Sequence, residues 1–235
     1  MASTVDILAF GAHPDDVELS CGATIAKHVK LGKRVGIVDL TRGELGTRGN
    51  AEIREAEAKK SAEILGVELR INMNFKDGFF QNDETHQLPL VKVIRKYRPK
   101  IVLCNAVIDR HPDHSKGADL VSTACFLAGL QKIKTAQDYW RPKSVYHYIQ
   151  FNNIVPNFVV DVSDFIETKI EAVKAFSTQF YDPASKEPET IISTKNFMDS
   201  IRYRAADLGR VVGVDYAEGF TVQKTPVIDQ LDFLK

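Results

Sequence analysis

Four short apolar runs, at 6–10, 35–40, 69–75 and 101–105, alternate with stretches whose apolar residues recur at three- and four-residue spacing. No other feature restricts the fold as much. Strands joined by helices pair in parallel, because a crossover needs a dozen or more residues whereas an antiparallel pair needs only a tight turn. The helical patterns cover 17–31, 51–65 and 88–97; Gly32 and Gly66 stop the first two and Pro99 the third. The 51–65 pattern offers Ile53, Ala56, Ala62 and Leu65 as one apolar face. The run Ile-Val-Leu-Cys at 101–104 has no polar residue to turn toward water, which implies cover on both faces. The expected class is α/β, a doubly wound, mostly parallel, Rossmann-like sheet with helices on both faces.

Beyond residue 140 the pattern is less regular. Strands are expected at 144–150 and 158–162, helices at 164–176 and about 194–208, and a loop at 181–190, which carries two prolines. No Gly/Ser linker, repeat or low-complexity tract divides the chain, so one domain over 1–235 is expected. Thirty-one basic and thirty-one acidic residues cancel. With no net charge to draw it to polyanions, the chain is expected to bind neither nucleic acid nor an anionic membrane surface. No apolar run approaches the ~18 residues of a spanning helix, and the opening MASTVDILAF lacks a basic n-region. A cytoplasmic location is the corresponding expectation. Cys21, Cys104 and Cys125 are odd in number and widely spaced, which suits buried thiols better than disulfides or a thiolate metal site.

The chemistry is concentrated in a tripeptide that occurs twice. His13-Pro14-Asp15 is followed by Asp16, and His111-Pro112-Asp113 by His114. With six histidines and nine prolines in the chain, chance predicts about 0.02 copies. Both copies follow a buried strand and precede a helix, so they should meet at the carboxyl edge of the sheet, where open α/β folds hold ligands. Three imidazoles and three carboxylates would then converge there. Two histidines and a carboxylate with one open position form the ligand set of catalytic zinc sites, and a hydrolytic metal centre is the natural reading. Taken singly, each copy also fits a plainer role: Asp15 with Glu18 as a capping-box variant and Pro14 as a turn stiffener in the first, and His111 with His114 as a polar helix start in the second. His28, His86 and His147 have no such company and are expected to be structural or at the surface.

A dinucleotide-binding reading fails, because GAHPDD stands where a glycine fingerprint would lie and its carboxylates would repel a pyrophosphate. Asp39, ending the second strand, is therefore only weakly suggestive of a ribose contact. The loop Thr41-Arg-Gly-Glu-Leu-Gly-Thr-Arg-Gly49 falls at the same edge without being a P-loop. Its Arg42 and Arg48 are either solvated or available to a sugar or anion.

AHPDDVELSCGAT, TRGELGTRG, IREAEAKKSAEILGV and DRHPDH together resemble the LmbE-like, or PIG-L, zinc-dependent de-N-acetylases, and most closely the bacillithiol biosynthesis deacetylase branch. The resemblance is strong over about the first 130 residues and diffuse thereafter. It implies one Zn2+ per chain, with Fe2+ as the alternative, bound by His13, Asp16 and His114. It makes Asp15 the general base, sets a protonated His111 beside the developing oxyanion, and assigns Arg54 and Arg110 to the substrate. That substrate would be a small anionic N-acetyl sugar conjugate, N-acetylglucosaminyl malate in that branch, hydrolysed to acetate and a free amine. Kinship also implies a homo-oligomer. A deacetylase of another N-acetyl sugar, a two-metal phosphoesterase drawing on Asp109 and Asp113, and a non-catalytic sugar-binding protein are the competing readings.

Overall fold

The computed structural model describes residues 4–227 and 230. Residues 1–3, 228–229 and 231–235 of the expected domain lie outside the described residues. Seven strands, β1 (Ile7–Gly11), β2 (Val35–Thr41), β3 (Leu69–Phe75), β4 (Ile101–Cys104), β5 (Ser144–Tyr148), β6 (Phe158–Asp161) and β7 (Ala217–Val222), form one sheet in the order β3-β2-β1-β4-β5-β7-β6. The first five pair in parallel, with Ile7 opposite both Val35 and Ile101. Strand β7 runs antiparallel to both β5 and β6. The doubly wound, mostly parallel sheet is as expected.

Six α-helices cover it: α1 (Asp16–Lys30), α2 (Ala51–Leu65), α3 (Glu84–Tyr97), α4 (Pro112–Ala128), α5 (Ile166–Lys174) and α6 (Lys195–Val212). Helices α3 and α4 bury Leu90, Ile94, Leu120 and Val121 against Leu8, Phe10 and Val38 on one face. The other face buries Ile7, Ala9 and Ile37 under α1, with Val17 and Ile25 among its contacts. A third cluster joins α2, α5 and α6 through Ala58, Ile170, Phe176 and Ile201. All three cysteines are free and buried, as expected. Among the described residues no helix is long and apolar enough to cross a membrane.

Three details depart from the sequence expectation, and each has a physical cause. The segment 217–222, left unassigned, is strand β7; Glu218 and Gly219 interrupt its apolar pattern. Glu218 is buried because its partners are inside. Helix α1 breaks its helical geometry at Cys21, and the Glu218 carboxylate accepts the amides of Ala23 and Thr24 (3.2 and 2.7 Å) and the Lys169 ammonium (2.7 Å). Helix α3 starts at Glu84 rather than 88, capped by Asp83, with Pro89 inside it. Helix α2 buries only half of its expected face: Ala62 and Leu65 are inside, but Ile53 and Ala56 are exposed, and Arg54, Glu57 and Ser61 are buried in their place. Its polar residues are inward because they brace the loops described next.

Candidate active site

The strand order reverses between β1 and β4, which opens a crevice beyond their carboxyl ends. Both His-Pro-Asp loops lie there. His13 and His111 have ring centroids 4.7 Å apart, His111 and His114 4.9 Å apart, and one ring nitrogen from each of the three falls within 4.8 Å of the others.

The imidazoles are oriented from outside. His13 Nε2 is 3.1 Å from an Asp77 oxygen and 3.5 Å from an Asp113 oxygen, which leaves Nδ1 facing Asp16 Oδ2 at 3.6 Å. His114 repeats the arrangement in reverse, with Nδ1 2.5 Å from Asp109 Oδ2 and Nε2 3.1 Å from Asp16 Oδ1. Asp16 is held in turn by amide donors from Asn105 (3.0 Å), Gln150 (3.1 Å) and its own loop at His13 N (3.0 Å). An imidazole whose outer nitrogen meets a carboxylate and whose inner nitrogen faces another ligand is how metal-binding histidines are set. The donor set therefore fits a divalent ion held by His13, Asp16 and His114. Asp77 and Asp113 also approach one another around His13. Asp113, however, is engaged by Lys116 (2.6 Å) and Gly78 N (2.8 Å), and Asp77 by Leu45 N (3.0 Å), as expected of groups that support an imidazole. The carboxylates a second metal would require, Asp109 and Asp113, are thus occupied in orienting the two histidines.

Metal-free, the cluster shares its protons. Burial disfavours the charged imidazole of His13, yet hydrogen bonds accepted by Asp113, Asp16 and Asp77 hold its pKa well above the usual value. His114 is raised to about 9, because Asp16 and Asp109 outweigh its burial. The same imidazoles overcome burial at Asp16 and keep its carboxyl well below the usual range. A bound cation would replace those protons.

Asp15 is set apart from this group. Burial, reinforced by the neighbouring Asp16 charge and opposed by Arg54, raises its pKa to about 7. Its backbone has φ 134°, a region non-glycine residues seldom occupy, at a cost of roughly 1–3 kcal/mol. It makes no side-chain cap on α1, and Glu18 instead bonds Ser61 (2.8 Å) and Arg70 (2.5 Å), so the capping-box alternative does not apply. Arg54 donates to Asp15 Oδ2 and to Pro14 O, both at 2.8 Å, and to Gly43 O at 3.2 Å. Asp15 Oδ1 has no hydrogen-bond partner among the described residues. His111 caps α4 by accepting the Asp113 amide on Nδ1 (3.3 Å). Burial, then the His13 and His114 charges, push its pKa down, and in the neutral ring the single proton lies on Nε2.

The glycine-rich loop is tied into this arrangement. A side chain at Gly43, which has φ 64°, would stand 2.2 Å from Arg54 Nη1, so glycine lets the guanidinium pass beneath the loop to Asp15. Glu44 accepts the Asp77 amide (2.9 Å) and thereby steadies the carboxylate on His13. Arg42 is in a surface pair with Glu52 (2.8 Å), whereas Arg48 is buried and bonded to Phe180 O and Ser185 Oγ. Asp39 is buried and locked to Arg70 through two bonds of 2.8 and 2.9 Å, a structural role. His28, His86 and His147 all lie outside the cluster, bonded to Thr24 O, Asp83 and Asn105 O.

These groups line a cavity of about 590 Å3 together with Arg110, Phe151, Phe197 and Arg204. Arg110 lies over the Phe151 ring, 4.5 Å from its centroid. The sequence reading missed Asp77, Asn105, Gln150 and Arg204. Asp77 and Asn105 were findable as polar residues just past β3 and β4 at the same edge; Gln150 and Arg204 belong to no motif.

Residues 8–125 match the PIG-L family, GlcNAc-PI de-N-acetylase. The chain belongs to that family. It is 32% identical over 225 residues to the diacetylchitobiose deacetylase of Thermococcus kodakarensis, covering 91% of this chain and 81% of the relative. Among solved structures it resembles a conserved protein of Thermus thermophilus, with TM-score 0.88, 34% identity and coverage of 97% and 98%. The N,N'-diacetylchitobiose deacetylase of Pyrococcus horikoshii superposes with TM-score 0.81 at 25% identity, covering 97% of this chain and 88% of that one. Kinship and the His/Asp cluster together mark a metal-dependent N-deacetylase.

Proposed function

We propose that this chain hydrolyses the acetamide of an N-acetylglucosamine conjugate, with Zn2+ held by His13, Asp16 and His114. The observation that carries the reading is the pair of imidazoles braced outside by carboxylates and facing Asp16 inside, with Asp15 Oδ1 left without a partner alongside among the described residues. The bound ion would polarise the acetamide carbonyl and acidify water. Asp15 Oδ1 takes the proton of the attacking water while Arg54 fixes the other oxygen, so the carboxylate keeps one orientation. As the carbonyl carbon becomes tetrahedral, His111 Nε2–H donates to the oxygen that gains charge, and it does so from the neutral ring. Asp15 then returns its proton to the leaving nitrogen, and acetate and a glucosamine amine result.

N-acetylglucosaminyl malate is the substrate favoured by the branch resemblance, whereas the names of the Thermococcus and Pyrococcus relatives point to N-acetylated chito-disaccharides. Acetate release from N-acetylglucosamine, diacetylchitobiose and N-acetylglucosaminyl malate, on protein loaded with Zn2+ or Fe2+, tests both levels. Turnover of the malate conjugate above the other two supports the branch. Release from none of the three with either metal overturns the proposal.

A further inference from the structure

The cavity also carries charge that the deacetylation chemistry leaves unused. Arg110, just before α4, and Arg204, on α6, both line it and both contact the Gln150–Phe151 bend. Arg204 donates through Nη2 to the Gln150 carbonyl. Neither guanidinium forms an ion pair with a carboxylate among the described residues. The acid next to Arg110, Asp109, is fully committed: it accepts from His114, the Phe151 and Asn152 amides, and Arg110 N. Buried cations elsewhere are taken up by several acceptors, Arg54, Arg70 and Lys169 with carboxylates among them, and Arg48 and Arg95 by carbonyl and hydroxyl oxygens alone. Among the arginines that line the cavity, Arg110, with no side-chain acceptor among the described residues, and Arg204, with one carbonyl, are the least engaged.

Their position is also fixed relative to the reacting centre. The Gln150 side chain donates to Asp16 Oδ1 and accepts from Asn105 and Ala106 N, so the carbonyl that anchors Arg204 belongs to the residue that steadies a proposed metal ligand. We propose that Arg110 and Arg204 clamp a carboxylate on the part of the substrate beyond the N-acetylglucosamine ring, and that Arg204 decides between charged and neutral conjugates. This rests on the deacetylase reading and moves the anion contact away from Arg54, whose guanidinium is engaged by Asp15.

The test compares the carboxymethyl and ethyl glycosides of N-acetylglucosamine on the metal-loaded full chain. Acetate release gives kcat/KM, and calorimetric binding of the two deacetylated amines gives affinity without turnover. Wild type should favour the carboxymethyl member by roughly ten- to a hundredfold, the range for a charge-assisted, bidentate contact. Arg204→Gln should cut that ratio at least fivefold, and Arg204→Lys should restore part of it, since charge returns without the fork. Arg202→Gln, which breaks an exposed pair with Glu167 on the same helix as Arg204, should leave the ratio intact. Equal affinity of wild type for the two amines, or an unchanged ratio in Arg204→Gln, overturns the clamp. Should Arg204→Gln misfold, Arg110→Gln at the exposed side of the clamp must lower the ratio, and failure to do so overturns it equally. No acetate from either glycoside, together with Arg204-dependent preference for the charged amine, would remove the deacetylase reading and leave the clamp standing.

Discussion

The two sides of the cavity are built in opposite ways. On the β1/β4 side, His13, Asp15, Asp16, His111 and His114 come from two tetrapeptides placed by adjacent parallel strands. Elsewhere in the lining, Phe151, Phe197 and Arg204 come from segments distant in sequence, after β5 and on α6, that meet only in the folded chain. The first side is dense with buried, mutually bonded charge. The second is largely apolar and carries Arg204, which has no carboxylate pair among the described residues. Reaction chemistry needs groups held to within fractions of an ångström, which short loops on rigid strands supply, whereas recognition of a variable substrate part tolerates a wall assembled from distant pieces. Losses on the first side should thus strike every substrate, and losses on the second only some.

The largest effect should follow removal of a proposed ligand. His13→Ala and His114→Ala should abolish metal content and turnover of all conjugates, because two remaining ligands hold the ion poorly. Full occupancy by elemental analysis in both variants would refute the assignment. Asp15→Asn comes next, with a loss of ~10²–10⁴ in kcat and the metal retained, as for a positioned general base. Metal loss reversed at high zinc would make Asp15 a ligand instead.

The braces should matter less than the groups they hold. Asp109→Asn and Asp77→Asn should each weaken metal affinity by about 10–100-fold, measured by competition with a chelator, with the tightly bound Asp109 showing the larger change. Unaltered affinity in both would mean that the carboxylates do not orient the imidazoles. Arg54→Ala sharpens the comparison most, since kinship alone assigned it to the substrate and the structure sets it on Asp15. A loss of roughly ten- to a hundredfold should appear in kcat, equally for charged and neutral glycosides, because a charge-assisted bond to the base is removed. A rise in KM confined to the charged glycoside would return Arg54 to substrate binding.

Much of this was legible beforehand. Apolar runs alternating with helical periodicity determined the parallel half of the sheet, and the doubled His-Pro-Asp placed the reactive groups at its carboxyl edge. Helix α2 shows where such reading stops. Periodicity selected Ile53 and Ala56 for its inner face, but both are exposed, and Arg54 and Glu57 are buried instead. Glu57 accepts from Thr178 N (2.8 Å), and Arg54 reaches Asp15, partners 121 and 39 residues away in sequence. Hydrophobic pattern cannot foresee a polar residue whose burial is justified by a distant charge. Strand β7 was missed for the same reason, since Glu218 looks like a solvent residue until the kink in α1 supplies amides for it to accept.

The sequence by itself determined which residues could do chemistry and on which edge of which strands, because strand and helix periods and the two tetrapeptides are local properties of the chain. Only the tertiary structure decided which nitrogen of each imidazole faces Asp16, that Arg54 serves the base, and that Arg110 and Arg204 share a wall. Those outcomes depend on carboxylates and carbonyls brought together across the crevice, whose pairing energies exist only once water has been excluded from between them.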